Sequence, residues 1–331
     1  MRVVVDSAIP YIRGVIEPYA EVSYVAGAEI DRAILQHCDA MLIRTRTRCN
    51  EQLLKGSNIR FIATATIGTD HIDLDWCSKH NITVASAPGC NARGVLQWVT
   101  AVLKHICTSR GLHPADLTLG VVGVGSVGSL VVEYARSWGF RVLRCDPPRK
   151  AVEGGDFLTI EELAPQCDII TLHTPLDDST YHLINSELIS TLKSNAIILN
   201  ASRGGVVDNA AMRQSEHPYY FDVWEGEPEI ASDILQCASL ATPHVAGYSE
   251  QGKANASAMV IRALAREFDL PLKEWYPSEV TPTTPRSISW QEVLASIDNY
   301  YPITEESTKL KRTPEDFERM RNSYIYRKEY F

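Results

Sequence analysis

The sequence predicts an α/β fold with two parallel-sheet domains, the second inserted into the first, followed by a short C-terminal extension. Three observations predict it. The chain has 331 residues, too many for one comfortable core. Short apolar runs alternate with helical patterns through most of its length, which is the signature of βαβ units. The strands also fall into two series, divided by one long helical stretch.

The first series reads as strands at residues 2–5, 40–43, 61–63 and 83–85, with helices between them. That makes one α/β unit over residues 1–91. Val95, Val99, Val102, Leu103 and Ile106 then recur at near-helical spacing and predict a helix over 92–109 that crosses into the next domain. The second series has strands at 118–122, 141–145, 169–172, 196–200, 220–223 and 239–241. A doubly wound domain over 92–248 requires such a set. A helical run over 249–269 returns the chain to the first domain, which is therefore discontinuous (1–91 and 249–270).

Beyond Pro271 the pattern becomes Pro-rich, then mixed in charge and rich in Tyr. The extension over 271–331 holds Trp275, Tyr276, Trp290, Tyr300, Tyr301, Tyr324, Tyr326, Tyr330 and Phe331, an aromatic density that disordered segments lack. Aromatics of this kind are enriched at interfaces, so the extension is expected to be ordered and to mediate a homodimer. Within it, SWQEVLASIDNY reads as a helix with Ser289 as N-cap and an apolar stripe at Val293, Leu294 and Ile297.

Composition closes off several function classes. Hydrophobic residues make up 45% and charged residues 22%, as in ordinary globular chains, so disorder is not expected. A net charge of −9 repels phosphodiester backbones and anionic lipid, so no nucleic-acid or membrane partner is expected. No window approaches a membrane span, and MRVVVDSAIPY lacks a secretory h-region. The eight cysteines are scattered without a CxxC pair, which argues against both a disulfide framework and a zinc site. They read as thiols of a reducing cytoplasm, and no metal is expected.

Gly123-Val124-Gly125-Ser126-Val127-Gly128 follows the strand LTLGVV and opens the helical pattern SLVVEYARSWG. In that context GxGxxG is a dinucleotide fingerprint. Gly123 permits the tight turn, Gly125 lets backbone approach a pyrophosphate, and Gly128 allows close helix–strand packing. Ser126 and Val127 open the helix, whose N-terminus offers unpaired N–H groups and partial positive charge. Asp146 ends the next strand, 18 residues after Gly128. A carboxylate there accepts from the ribose hydroxyls and repels a 2′-phosphate, so NAD is expected rather than NADP. Arg149 argues the other way, but Pro147 and Pro148 are expected to turn the chain away first. Thr174 ends the following strand and is a further candidate for the cofactor.

Three more segments begin at strand ends: Asn200-Ala-Ser-Arg203-Gly-Gly, Asp222-Val-Trp-Glu225-Gly-Glu227-Pro and Thr242-Pro-His244-Val-Ala-Gly247-Tyr248. With the glycine fingerprint, they resemble the D-2-hydroxyacid dehydrogenases, whose hallmark is an Arg, a Glu and a His in this order. The resemblance implies two Rossmann-like or flavodoxin-like domains with the cofactor domain inserted. The chemistry explains the residue types. Removing hydride from C2 requires a base for the hydroxyl proton, which suits His244. A carboxylate orients the imidazole, and Glu227, before Pro228, matches the family's acid better than Glu225. Arg203 would fork onto the substrate carboxylate. Asp222 aligns with a contact to the nicotinamide side of the cofactor, and Gly247 with another cofactor contact.

The first domain narrows the substrate. It carries Arg44-Thr45-Arg46-Thr47, Thr64-Ala-Thr66-Ile-Gly68-Thr69-Asp70-His71-Ile-Asp and Ala87-Pro-Gly-Cys-Asn91. With Asp146-Pro-Pro-Arg149, these strings are similar to the vitamin B6 branch of that family, which acts on 4-phosphoerythronate. The similarity runs from residue 1 to about 265 and is faint beyond. It implies oxidation at C2 to 2-oxo-3-hydroxy-4-phosphobutanoate, with Thr45, Thr66 and Tyr248 as substrate contacts. Arg44 and Arg46 would add positive charge for the phosphate. The segment between Asp208 and Asp222 is shorter than in that branch, and so is the C-terminal tail. Two rival readings share the triad: another D-2-hydroxyacid dehydrogenase, for example of the 3-phosphoglycerate type, and an NAD-sensing corepressor. The first would differ only in the distal pocket; the first-domain strings and the lack of a long disordered tail argue against the second.

Overall fold

Residues 1–331 are described by a computed structural model. The chain separates into two units, Met1–Asn91 with Glu250–Pro282, and Ala92–Ser249 with Thr283–Phe331.

The first unit is built on β1 (Arg2–Asp6), β2 (Glu21–Val25), β3 (Ala40–Ile43), β4 (Phe61–Thr64) and β5 (Thr83–Ala85), all parallel in the order β2-β1-β3-β4-β5. β3 and β4 are buried along their whole length, and for that reason they read as unbroken apolar runs. β2 is absent from the sequence reading. It is the sheet's edge, exposed at Glu21 and Ser23, and so lacks the apolar run that marks its neighbours. The strand order reverses between β1 and β3, and in such sheets ligands bind beyond the carboxyl ends at the reversal. Helix Glu250–Glu267 buries Val260, Ile261 and Leu264 against Val3, Val5, Leu42 and Phe61, and Trp275 joins the same cluster.

The second unit carries β6 (Thr118–Val122), β7 (Arg141–Cys145), β8 (Ile169–Leu172), β9 (Ile197–Asn200), β10 (Tyr219–Phe221) and β11 (Leu240–Ala241). They too are parallel, in the order β11-β10-β9-β8-β6-β7, so the reversal lies between β6 and β8. Helix Ala92–Arg110 is the unit's apolar spine, with Val95, Val99, Val102, Leu103 and Ile106 buried as their spacing predicts, and Trp98 buried among them.

Residues 283–331 fold onto this second unit. Ser289 caps helix Trp290–Tyr300 as expected, its hydroxyl accepting from Glu292 N at 3.2 Å. Val293 and Ile297 are buried, whereas Leu294 of the expected stripe is exposed. Tyr301, Tyr330 and Phe331 pack with Tyr134 and Trp138 in one core, and Leu310, Phe317 and Met320 enter another with Trp224 and Leu235. Most of the aromatic density that suggested an interface is therefore consumed inside the chain. Leu294, Tyr300 and Ile325 stay exposed. No helix is long and apolar enough to cross a membrane, and the eight cysteines are free, seven of them buried.

Candidate active site

The glycine fingerprint sits on the reversal of the second sheet. Gly123 has φ of 82°, and a Cβ on it would stand 2.7 Å from the His173 carbonyl carbon, so the loops leaving β6 and β8 lie directly against each other. Gly128 is equally constrained, because a Cβ there would meet Gly123 O at 2.0 Å. Gly125 differs from both: a Cβ on it would meet nothing within 4 Å. It faces open space, at the N-cap of helix Ser126–Ser137, and no side chain caps the helix's orphan N–H groups. On the loop packed against Gly123, the buried Thr174 hydroxyl has no partner in the protein. An uncapped helix start, a clear approach over Gly125 and an orphan hydroxyl together fit a bound dinucleotide phosphate. His173, between Thr171 and that threonine, is pulled down to about 3 by burial and stays neutral.

Asp146 is tied into the same loop. Its Oδ2 accepts from Val124 N at 2.7 Å, and its Oδ1 caps the next helix, accepting from Arg149 N at 3.0 Å. The expectation that Pro147 and Pro148 turn Arg149 away is incorrect. The prolines occupy the first turn of helix Pro147–Glu153, where their missing N–H groups cost nothing. Arg149 therefore comes back over the fingerprint loop and donates to Val124 O at 2.6 Å. Its charge is met by Glu153, in a fork of 2.7 and 2.8 Å.

Arg203, Glu227 and His244 come from three loops that the fold locks together. Asn200, wholly buried at the end of β9, pins the first loop by accepting from Ser202 N and donating to Arg203 O. A Cβ on Gly204 would fall 2.0 Å from the Trp224 carbonyl carbon, so the Arg203 loop lies flat on the backbone that leads to Glu227. Glu227 Oε1 accepts from Trp224 N at 2.7 Å, and its Oε2 faces His244 Nδ1 at 2.7 Å. Burial pushes the Glu227 carboxyl up, but the charge and hydrogen bond of His244, the Trp224 N–H and Arg321 outweigh it and leave the carboxyl below its ordinary value. Glu227 is therefore an ionised partner of the His244 Nδ1.

His244 itself stands at φ of 56°, a left-handed conformation that costs a non-glycine residue about 1–3 kcal/mol. Asp222, 1% exposed, sets this turn: its carbonyl accepts from His244 N at 2.7 Å, Oδ1 from Thr242 Oγ1 and Val245 N, and Oδ2 from Ala246 N. Most of the acceptor capacity of Asp222 is thus committed to the turn.

Residues 92–246 match the model of the D-isomer specific 2-hydroxyacid dehydrogenase NAD binding domain. The chain is 40% identical over 342 aligned residues to the erythronate-4-phosphate dehydrogenase of Bacteroides thetaiotaomicron, covering 99% of this chain and 97% of that protein. The enzyme of that name from Ectopseudomonas mendocina is 39% identical, with 99% of this chain and 93% of that protein covered. The chain belongs to the erythronate-4-phosphate dehydrogenase family. Among solved structures, NAD+-bound 3-phosphoglycerate dehydrogenase of Entamoeba histolytica aligns at a TM-score of 0.69 and 26% identity, over 83% of this chain and 97% of that one. D-lactate dehydrogenase of Aquifex aeolicus, complexed with NAD and lactic acid, aligns at 0.68 with the same coverage and, at 23% identity, supports the fold. Residues 92–246 of the second unit are the family's NAD-binding domain.

The remaining sequence candidates lie at strand ends of their own units. Gly247 and Tyr248 continue the His244 turn, with the Tyr248 ring edge-on to Tyr324 and Tyr326. In the first unit, Ile43 pairs with Thr64 at the ends of adjacent strands, and Arg44, Thr45 and Thr66 follow in the loops just beyond them. Arg44 donates to Ala8 O at 3.2 Å, and Thr45 is exposed. Thr66 Oγ1 contacts Thr64 Oγ1 at 2.6 Å, and Thr64 in turn contacts His71 Nε2 at 3.1 Å. Burial lowers the His71 pKa.

Sequence reasoning weighed Glu225 against Glu227 and missed where Glu225 goes. Its Oε1 faces His182 Nε2 at 2.7 Å, and His182 Nδ1 stands 3.9 Å from Asp208. An isolated His in the string TYHLIN carries no signal of this. Only the fold brings its partners together, from 26 and 43 residues downstream.

Proposed function

We infer that this chain oxidises 4-phospho-D-erythronate at C2 to 2-oxo-3-hydroxy-4-phosphobutanoate, with NAD as oxidant, in pyridoxal 5′-phosphate biosynthesis. The observation that carries the chemistry is the His244–Glu227 pair at 2.7 Å, with Arg203 held on the adjoining loop. The identity of the relatives carries the choice of acid. Gly123, Gly125, Ser126, Val127, Gly128, Asp146, Thr174, Asp222 and Gly247 would hold NAD, which would supply the hydride acceptor. Arg203 binds the substrate carboxylate through its guanidinium fork and polarises the C2 oxygen. His244 Nε2 takes the proton of the C2 hydroxyl as the C2–H bond is lost, and ionised Glu227 stabilises the imidazolium that results. In the reverse direction the same group returns the proton.

On this reading the second unit is the cofactor domain and the first the substrate domain. Arg44, Thr45 and Thr66 take the distal phosphate, and Tyr248 completes the substrate contacts. The enzyme is cytoplasmic and works as a homodimer, for which Leu294, Tyr300 and Ile325 are the apolar residues left exposed on the extension. NADH formation by the purified protein with 4-phosphoerythronate, D-3-phosphoglycerate and D-lactate tests the substrate. A kcat/KM highest for 4-phosphoerythronate is expected, and a preference for either other acid sinks the assignment. Light scattering of the full chain tests the dimer, which a monomeric mass would refute.

A further inference from the structure

The C-terminal extension reaches the catalytic turn. Residues 324–329 run alongside residues 244–249: Ser249 and Arg327 form a parallel bridge, and Ser249 Oγ donates to Glu329 Oε1 at 2.8 Å. At the centre of this contact is Arg327, only 7% exposed. Its guanidinium donates to Ala246 O at 2.7 Å and, through both terminal nitrogens, to Val245 O at 3.2 Å. These two carbonyls belong to the same residues whose N–H groups Asp222 accepts.

We propose that Arg327 is a positioning residue for the reaction, clamping the left-handed His244 turn from its carbonyl side while Asp222 clamps it from its amide side. This rests on His244 as the base. A left-handed histidine persists only where its surroundings over-determine the backbone. Here every polar backbone group of Val245 and Ala246 is spoken for by a buried charge of the matching sign.

The guanidinium is itself held rigidly. It lies 3.7 Å over the Tyr301 ring and 5.4 Å from that of Tyr324. It donates to Tyr324 Oη at 2.5 Å, and that hydroxyl donates onward to Glu306 at 2.5 Å. Burying a cation is costly, and an apolar side chain fills space more cheaply. What only a planar, multiply donating cation supplies is a fixed distance to two adjacent carbonyls. The same segment places Tyr324 and Tyr326 edge-on to Tyr248, so one stretch of extension backs both His244 and the substrate-contact tyrosine.

The test is Arg327→Ala in the full chain, assayed with 4-phosphoerythronate and NAD. A displaced base should lower kcat by ~10–100-fold, with both KM values within about threefold of wild type. Millimolar guanidinium should restore part of the lost kcat, and Arg327→Lys should not, because it keeps charge without the fork. A role in stability alone predicts a lower melting point with normal kcat in the folded protein, and that result overturns the proposal. Should Arg327→Ala not fold, Tyr324→Phe removes only the hydroxyl that anchors the guanidinium. A reduced kcat at unchanged KM then supports the proposal, and an unchanged kcat overturns it. Side-chain NMR of labelled histidine, with the His244 signal identified by its loss in His244→Ala, needs no substrate. A single His244 environment in wild type that becomes heterogeneous in the variant supports the clamp, and an unaltered signal refutes it. Failure of wild type to turn over the acid would instead count against the substrate assignment.

Discussion

Two histidine–carboxylate pairs border the same loop, and they differ in what faces the second ring nitrogen. His244 meets Glu227 at 2.7 Å, and His182 meets Glu225 at 2.7 Å. Both rings are about a quarter exposed, and both histidines have left-handed backbone, with φ of 56° and 50°. The difference lies in the second nitrogen and in the carboxylate's remaining bonds. His182 turns its other nitrogen toward Asp208 at 3.9 Å, while Glu225 Oε2 accepts from Asn209 N and Asp208 caps the helix that follows. That ring is a clasp between three loops, with carboxylates facing both nitrogens. His244 spends one nitrogen on Glu227, and the proposed reaction uses the other. A His–Glu contact is therefore not evidence of a base until the second nitrogen is accounted for.

The sharpest way to break this contrast is to remove each ring. His244→Ala is expected to lower kcat by ~10²–10⁴-fold, the usual size of general-base catalysis, measured by steady-state NADH formation. His182→Ala should leave kcat within an order of magnitude. Comparable losses in the two variants would erase the distinction.

Arg203 separates binding from chemistry on the catalytic side. Charge-assisted bonds contribute about 1.5–3 kcal/mol, so Arg203→Ala should raise KM for the acid by ~10–100-fold and lower kcat as well. An unchanged KM would remove Arg203 from the carboxylate. The corresponding change on the clasp side, Glu225→Gln, should leave KM for the acid alone.

On the cofactor side, Asp146→Ala should erode the preference for NAD over NADP, read as the ratio of kcat/KM values. The variant also frees Val124 N, so KM for NAD should rise. If wild type uses both cofactors equally, Arg149 is reaching past Glu153 and the assignment of NAD specificity fails.

The smallest effects are on stability. Breaking the clasp with His182→Ala should cost about 1 kcal/mol, a few degrees in melting temperature. Glu227 contributes its own pH dependence. Its carboxyl titrates below 4.5 in the fold and near 4.5 in the unfolded chain, so the unfolded chain binds the proton first on acidification. The stability from this pair is complete above pH 4.5 and lost as pH falls through the folded value. Melting curves from pH 6 to 3 should drop less steeply in Glu227→Gln, and parallel curves would show that the pair carries no linkage.

The sequence by itself determined what local chemistry and periodicity encode. Buried parallel strands read as apolar runs, helix 92–110 showed its stripe, and the glycines at 123 and 128 serve a left-handed turn (φ of 82°) and a close contact within one strand–turn–helix. Asp146 was legible for the same reason, lying one strand on from the fingerprint. The order Arg203, Glu227, His244 could be matched because each residue stands at the end of a strand. The remaining features depend on groups far apart in sequence. Edge strand β2 forms because β1 offers it a ladder, not because Glu21–Val25 is apolar. Glu225 goes to a histidine 43 residues upstream, Arg149 is claimed by a glutamate one helical turn on, and the aromatics of the extension pack inward. Arg327 shows the limit most clearly. A lone arginine four residues from the end looks solvated in sequence, and becomes a buried clamp only when the fold brings two carbonyls 81 and 82 positions earlier within its reach. Desolvation and hydrogen-bond geometry act through space, and a sequence pattern records neither.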